Sequence, residues 1–160
     1  MPLVDDLARD LPEGERYRRL LTAVRTLVPC GATALLRLDD DSLVPLAVDG
    51  LSSDTLGRRF KIDEHPRFQR LLQAEGPMRF PAGSRLPDPY DGLVEGMEGE
   101  LLEVHDCLGC VLRVGERPWG LLTLDALDAE RFLPQDLDIL QTFASLAAAT
   151  VSVADRLQQL

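Results

Sequence analysis

Two near-continuous apolar runs late in the chain, Leu108–Val114 and Trp119–Leu127, are separated only by Gly115-Glu116-Arg117-Pro118. Runs of this length around a Gly/Pro turn read as the strands of a β-hairpin. Because neither run alternates apolar with polar residues, the hairpin belongs in the middle of a sheet covered on both faces. The cover has to come from the rest of the chain, and the period of its apolar residues says how. From Gly14 to Val28, Tyr17, Leu20, Leu21, Val24, Leu27 and Val28 recur at three- and four-residue steps, a helix with one buried stripe that Pro29 stops. Leu133-Pro134-Gln135-Asp136 opens a long closing helix with Leu137, Leu140, Phe143, Ala144 and Ala147 on one face. Its end, Asp155 to Leu160, carries no stop signal and reads on as a linker.

Between these lie a second predicted hairpin, Ala32–Leu38 with Leu43–Val48, and a shorter helix from Pro66 to about Ala74, ended by Gly76-Pro77. A stretch rich in Pro, Gly and acid then runs from Pro81 to about Glu103. A loop of that length inside a compact domain is more often functional than idle. The order is helix, hairpin, short helix, loop, hairpin, long helix. It predicts an α+β fold: a central antiparallel sheet with the terminal helices on one face and a pocket covered by loop and short helix on the other.

The chain has 160 residues, the size of one domain with a single core. Its net charge of −10, with Lys+Arg 17 against Asp+Glu 27, works against direct nucleic-acid contact and anionic membranes. Lys61 is the one lysine, so no polybasic patch exists. No apolar run approaches the roughly 18–20 residues of a membrane span, and the N-terminus carries acid where a secretory signal carries base. A cytoplasmic location is the expectation. Three cysteines, Cys30, Cys107 and Cys110, do not suggest a disulfide framework in such a chain.

Chemistry concentrates around Glu103-Val-His105-Asp-Cys107-Leu-Gly-Cys110. In an extended strand i and i+2 point the same way, so His105 and Cys107 present an imidazole and a thiol to one side, as a chelating pair requires. Spacing alone favours the plainer alternative, a packed histidine and a packed cysteine. Cys107 and Cys110 are three apart and face opposite sides, so their C-x-x-C spacing is not a metal or redox pair, and Cys110 is expected in the core. Asp125 ends the run Gly120-Leu-Leu-Thr-Leu-Asp125, where a carboxylate is costly unless paired or metal-bound. A three-residue loop, Gly115 to Arg117, sets Cys107 opposite Asp125; a two-residue loop turns them to opposite faces. Leu86-Pro-Asp88-Pro-Tyr90-Asp91-Gly92 adds two acids, which the bland reading makes a polar turn. Oxygen, nitrogen and sulfur together suit a divalent transition metal better than calcium or magnesium.

These residues carry a resemblance. Val44-Pro-Leu-Ala-Val-Asp-Gly-Leu51, Leu56-Gly-Arg-Arg-Phe60, His65-Pro-Arg67, Arg79-Phe-Pro-Ala82, Leu86–Leu93, Val104-His-x-Cys-x-Gly109 and Leu122-Thr-Leu-Asp125 cover most of the chain. It resembles the GAF domain of the NorR family, the nitric-oxide-responsive activators of sigma-54-dependent transcription. The resemblance implies a non-enzymatic sensor domain spanning residues 1–160, with the ATPase and DNA-binding domains of a longer protein outside this chain. It implies a mononuclear non-haem iron(II) centre that binds nitric oxide, with Asp91, His105, Cys107 and Asp125 on ligand positions and Asp88 on a nearby acid. Arg67 matches an arginine placed at the iron. A guanidinium has no lone pair to give, so its expected role is gating beside the metal rather than ligation.

The implied partner is the AAA+ ATPase domain of the same protein, which the sensor releases when nitric oxide binds; self-association is expected as well. Relatives carry an arginine at the output surface where this chain has Gln73, and Arg70 lies one turn earlier. Three rivals stand beside this reading. They are a GAF pocket for another small organic ligand, a dimerisation module without metal, and a metalloenzyme. No general acid–base pair or substrate motif speaks for the last.

Overall fold

The computed structural model describes residues 13–81, 85–91, 93–94, 106–126 and 132–158. The first amphipathic segment forms helix α1 (Glu13–Leu27), with Tyr17, Leu20, Leu21 and Val24 buried on one side. The hairpin of β1 (Ala32–Asp39) and β2 (Ser42–Asp49) turns at Asp40, which takes φ 57°, a conformation Asp tolerates in tight turns. Two very short strands follow that periodicity does not reveal, β3 (Phe60–Lys61) and β4 (Met78–Phe80). Between them lies α2 (Pro66–Gln73), opened by Pro66, whose missing N–H costs nothing in the first turn. The late hairpin is β5 (Asp106–Val114) with β6 (Arg117–Ala126), and α3 (Pro134–Gln158) closes the chain. The Asp136 carboxylate accepts the Leu133 N–H at 2.7 Å just ahead of α3, a reciprocal cap.

All six strands form one antiparallel sheet in the order β3-β2-β1-β6-β5-β4. The β5–β6 hairpin lies inside it, as its unbroken apolar runs require. One face, with Leu108, Cys110, Leu112, Leu122 and Leu124, packs under α1 and α3. The other, with Cys107, Val111 and Leu121, packs under α2 and the segment carrying Tyr90, Leu93 and Val94. The chain is α+β, with the two-faced arrangement expected from its sequence. Cys107 and Cys110 enter different cores, and Cys110 Sγ lies 3.9 Å from Gln141 Oε1 of α3. Among the described residues no helix is long and apolar enough to cross a membrane.

Helix α2 lies so close to β5 that only glycine fits beneath it. A Cβ at Gly109 would sit 2.5 Å and 2.7 Å from the two methyls of Leu71. Gly109→Ala is expected to destabilise the domain by about 1–3 kcal/mol through overpacking. The check is the urea midpoint at unchanged m-value; a midpoint equal to that of the wild type would mean that α2 yields freely.

Candidate metal centre

The relation of Cys107 to Asp125 rests on one bulge. The turn has only two residues, since Val114 pairs with Arg117, and it is led by Gly115 at φ 65°. Continued regularly, that turn would put Cys107 and Asp125 on opposite faces. The register shifts between Leu112 and Arg113, where Leu112 pairs with Gly120 and Arg113 with Pro118, leaving Trp119 as the extra residue. Below the bulge Cys107 pairs with Asp125, and both side chains enter the pocket face.

Strand β4 brings Phe80 opposite Cys107 on its other side. The Asp88 segment comes from far along the chain and is tied down at several points. Asp88 Oδ1 accepts the Tyr90 N–H at 2.8 Å, an Asx turn that the Asp-Pro-Tyr sequence favours. The Tyr90 hydroxyl and Thr123 Oγ1 are hydrogen-bonded at 2.8 Å. Ser52 N–H donates to Leu93 O, and Leu51 bridges to Val94. From α2, Arg67 Nε donates to Leu86 O at 2.9 Å, and its Nη1 stands 3.5 Å from Asp88 Oδ2. The Arg67 guanidinium also lies over the Phe80 ring, 5.2 Å from its centre.

This architecture brings one oxygen each of Asp88 and Asp125 and the sulfur of Cys107 within 4.8 Å of one another, all three buried. Asp125 is 1 % exposed, and neither of its oxygens has a hydrogen-bond partner among the described residues. Burial, then the negative charge of Asp88, pushes the Asp125 carboxyl well above its ordinary pKa. Burial, followed by Asp125 and Asp88, also raises the Cys107 thiol. Burial raises the Tyr90 phenol, against the Thr123 hydrogen bond. Among the described residues, two carboxylates and a thiol thus face one guanidinium, that of Arg67. An acceptor left bare in such a place needs a proton or a cation. A donor set of two carboxylate oxygens and one thiolate fits a divalent transition metal, so the residues present suit a metal ion.

The residues singled out in the sequence are distributed unevenly around this point. Cys107 and Asp125 meet there. Asp88, read as a neighbouring acid, lies with its carboxylate in the cluster itself. Asp91 is outside the cluster, half-buried, and lines a neighbouring cavity of about 450 Å³ with Arg58, Arg59, Phe60 and His65. His105 lies outside the described residues. Arg67 is buried beside Asp88, while Arg70 and Gln73 are exposed on α2. Tyr90, Thr123 and Phe80 line the site without having been singled out. Thr123 had a signal, since it stands two residues before Asp125 on one strand and shares its face.

The fold is thus a sheet covered by helices on one side, with a buried donor cluster under a short helix and loop on the other. The model of the GAF domain family matches residues 13–151, and the chain belongs to that family. It is 52% identical over 130 residues to the nitric oxide reductase transcription regulator NorR1 of Cupriavidus necator, covering 81% of this chain and 25% of that protein. It is 44% identical over 155 residues to the anaerobic nitric oxide reductase transcription regulator NorR of Shigella flexneri, covering 97% of this chain and 30% of that one. The chain therefore spans between 25% and 30% of the length of these relatives, which are named as transcription regulators. Among solved structures, the GAF domain of a phosphoenolpyruvate-protein phosphotransferase from Coxiella burnetii superposes with a TM-score of 0.78 at 21% identity, over 99% of this chain and 94% of that one. The second GAF domain of DevS from Mycobacterium smegmatis gives 0.71 at 17% identity, over 92% and 99%. These two likenesses concern the fold alone.

Proposed function

We propose that this chain is the nitric-oxide-sensing regulatory domain of a longer transcription regulator, built on one non-haem ferrous ion. The observation that supports it best is Asp125, with two buried oxygens that have no hydrogen-bond partner among the described residues, beside Asp88 and Cys107. Asp88, Cys107 and Asp125 hold the ion in this reading. His105, two residues before Cys107, and Asp91, three after Asp88, are the further donors that the family resemblance implies. A ferrous ion held there by fewer than six protein donors would supply a binding position for a small neutral ligand.

The chain's own residues govern both access to that position and the response to its occupation. Phe60, Phe68 and Tyr90 stack edge to face in the same core as Cys107, apolar surroundings that favour an uncharged ligand. Arg67 grips both Asp88 and Leu86, so a displacement of Asp88 is felt by α2. Arg70 and Gln73 on the exposed side of that helix form the output surface toward an attached AAA+ ATPase domain. The switch requires nitric oxide to bind the released arrangement more tightly than the inhibitory one.

Anaerobic reconstitution with Fe(II), followed by nitric oxide and EPR spectroscopy, tests the reading. About one iron per chain and the EPR signal of nitric oxide on ferrous iron are expected for the wild type. Cys107→Ser should lose that signal. A wild type without stoichiometric iron, or a serine variant with the full signal, would refute the assignment.

A further inference from the structure

The residue beside Cys107 faces the other way, and Arg79 and Phe132, which hydrogen-bond to it, lie outside the donor cluster. Asp106 is completely buried on the helix-covered side of the sheet. Its Oδ2 accepts from Arg79 Nη2 at 2.8 Å, from Arg79 Nε at 3.2 Å and from the Phe132 N–H at 3.2 Å. Arg79 stands on the edge strand β4, and Phe132 lies two residues ahead of α3. One carboxylate oxygen thus joins the site end of β5, the outer strand and the start of the closing helix.

The pairing makes this a two-sided arrangement. On the pocket face, Phe80 of β4 pairs with Cys107 of β5. On the helix face, the neighbours Arg79 and Asp106 form the ion pair. Consecutive side chains of a strand point to opposite faces while their Cα atoms are a fixed ~3.8 Å apart. A movement of the backbone at Cys107 therefore carries Asp106 with it. Asp106 is coupled to Phe132 because its buried carboxylate, whose charge Arg79 compensates, also accepts the Phe132 N–H, and a displacement would strain both bonds.

We propose that Asp106 is a positioning residue that transmits the state of the pocket at Cys107 to the first turns of α3. This is a route to the closing helix separate from the Arg67–α2 contact. It rests on the reading of the pocket as a metal site. The mechanical half stands without it, since the clamp exists whether or not metal binds.

Hydrogen–deuterium exchange of the 160-residue protein, read over residues 132–140 with and without Fe(II) under anaerobic conditions, tests both halves. Without metal, Asp106→Ala should speed exchange in this segment by about tenfold or more, with residues 17–24 of α1 serving as the control for global loosening. In the wild type, Fe(II) should slow exchange over residues 132–140. In Asp106→Ala, and in the milder Arg79→Gln, the ion should still bind at the same stoichiometry, and that slowing should largely vanish. A merely structural role would change the baseline but leave the metal-dependent difference in place. The proposal is overturned if the metal-free exchange of Asp106→Ala matches wild type, or if both variants keep the full metal-dependent slowing. It is also overturned if iron binds to wild type without any change over residues 132–140. A wild type that takes up no iron instead sinks the metal reading, and the clamp is then judged on the metal-free comparison alone.

Discussion

Asp125→Asn is expected to abolish ferrous-iron uptake and at the same time make the metal-free domain more stable at neutral pH. The two effects have one cause. Asp125 is a buried carboxyl whose oxygens have no hydrogen bond of good geometry among the described residues and which faces Asp88 and the Cys107 thiol. Its native pKa is raised above the ordinary value of 3.8, so the native state binds a proton more tightly than the unfolded chain does. Below pH 3.8 the group is protonated in both states and costs nothing. As pH rises toward the raised native pKa, only the unfolded chain gains from ionisation, and stability falls.

Asparagine keeps the shape and never ionises. The variant should match wild type near pH 3–4 and exceed it at pH 7 by about 1–2 kcal/mol, a rise of roughly 2–8 °C in Tm. Iron affinity should fall at least about 100-fold, because a neutral amide replaces an anionic donor. In the wild type, uptake should weaken as pH falls, since Asp125 and Cys107 must release protons to bind metal. Thermal denaturation across pH, paired with anaerobic metal titration, reads both effects. A variant that holds iron like the wild type, or that melts earlier at neutral pH, would remove Asp125 from the site.

Arg67→Met should have the largest effect on folding stability. The guanidinium and the Asp88 carboxylate are 4% and 0% exposed, so the pair is effectively dry. Methionine fills a similar volume over Phe80 but takes away the positive charge and the bond to Leu86 O. Breaking a buried pair from one side costs about 3–5 kcal/mol. The 3.5 Å separation from Asp88 is long for an ion pair, which places the expectation at the lower end. The corresponding fall in Tm is roughly 6–12 °C. Because a dication beside Asp88 replaces the missing charge, Fe(II) should raise the Tm of the variant by more than that of the wild type. A variant whose metal-free Tm stays within about 2 °C of wild type would show that the pair contributes no net stability.

The same two sites show where the sequence was legible. Helices α1 and α3 announce themselves through apolar residues at three- and four-residue steps, and the core hairpin through unbroken apolar runs. Strand parity alone separates Cys107 from Cys110, and the structure puts them in different cores. Strands β3 and β4 are too short to show any period, although β4 delivers Phe80 to the pocket and Arg79 to Asp106. The hairpin register is a harder case. The turn at Gly115 is the two-residue kind that would have separated Cys107 from Asp125, and the bulge at Trp119 restores their pairing. A bulge is chosen by the neighbours on both sides of a strand. Local sequence is silent about it.

By itself, then, the sequence determined the α+β class, the two-faced cover of the sheet, and the opposite faces of Cys107 and Cys110 on their strand. Those features arise from periods of two and 3.6 residues, which are local properties of the backbone. Only the tertiary structure decided that Asp88 joins Cys107 and Asp125 while Asp91 lines the next cavity. That choice depends on where the segment from Leu86 to Val94 is pinned, and its anchors are Arg67 on α2, Thr123 on β6, and Leu51 and Ser52 after β2. Each anchor is tens of residues away along the chain, so no local pattern in the loop records which of its acids turns inward.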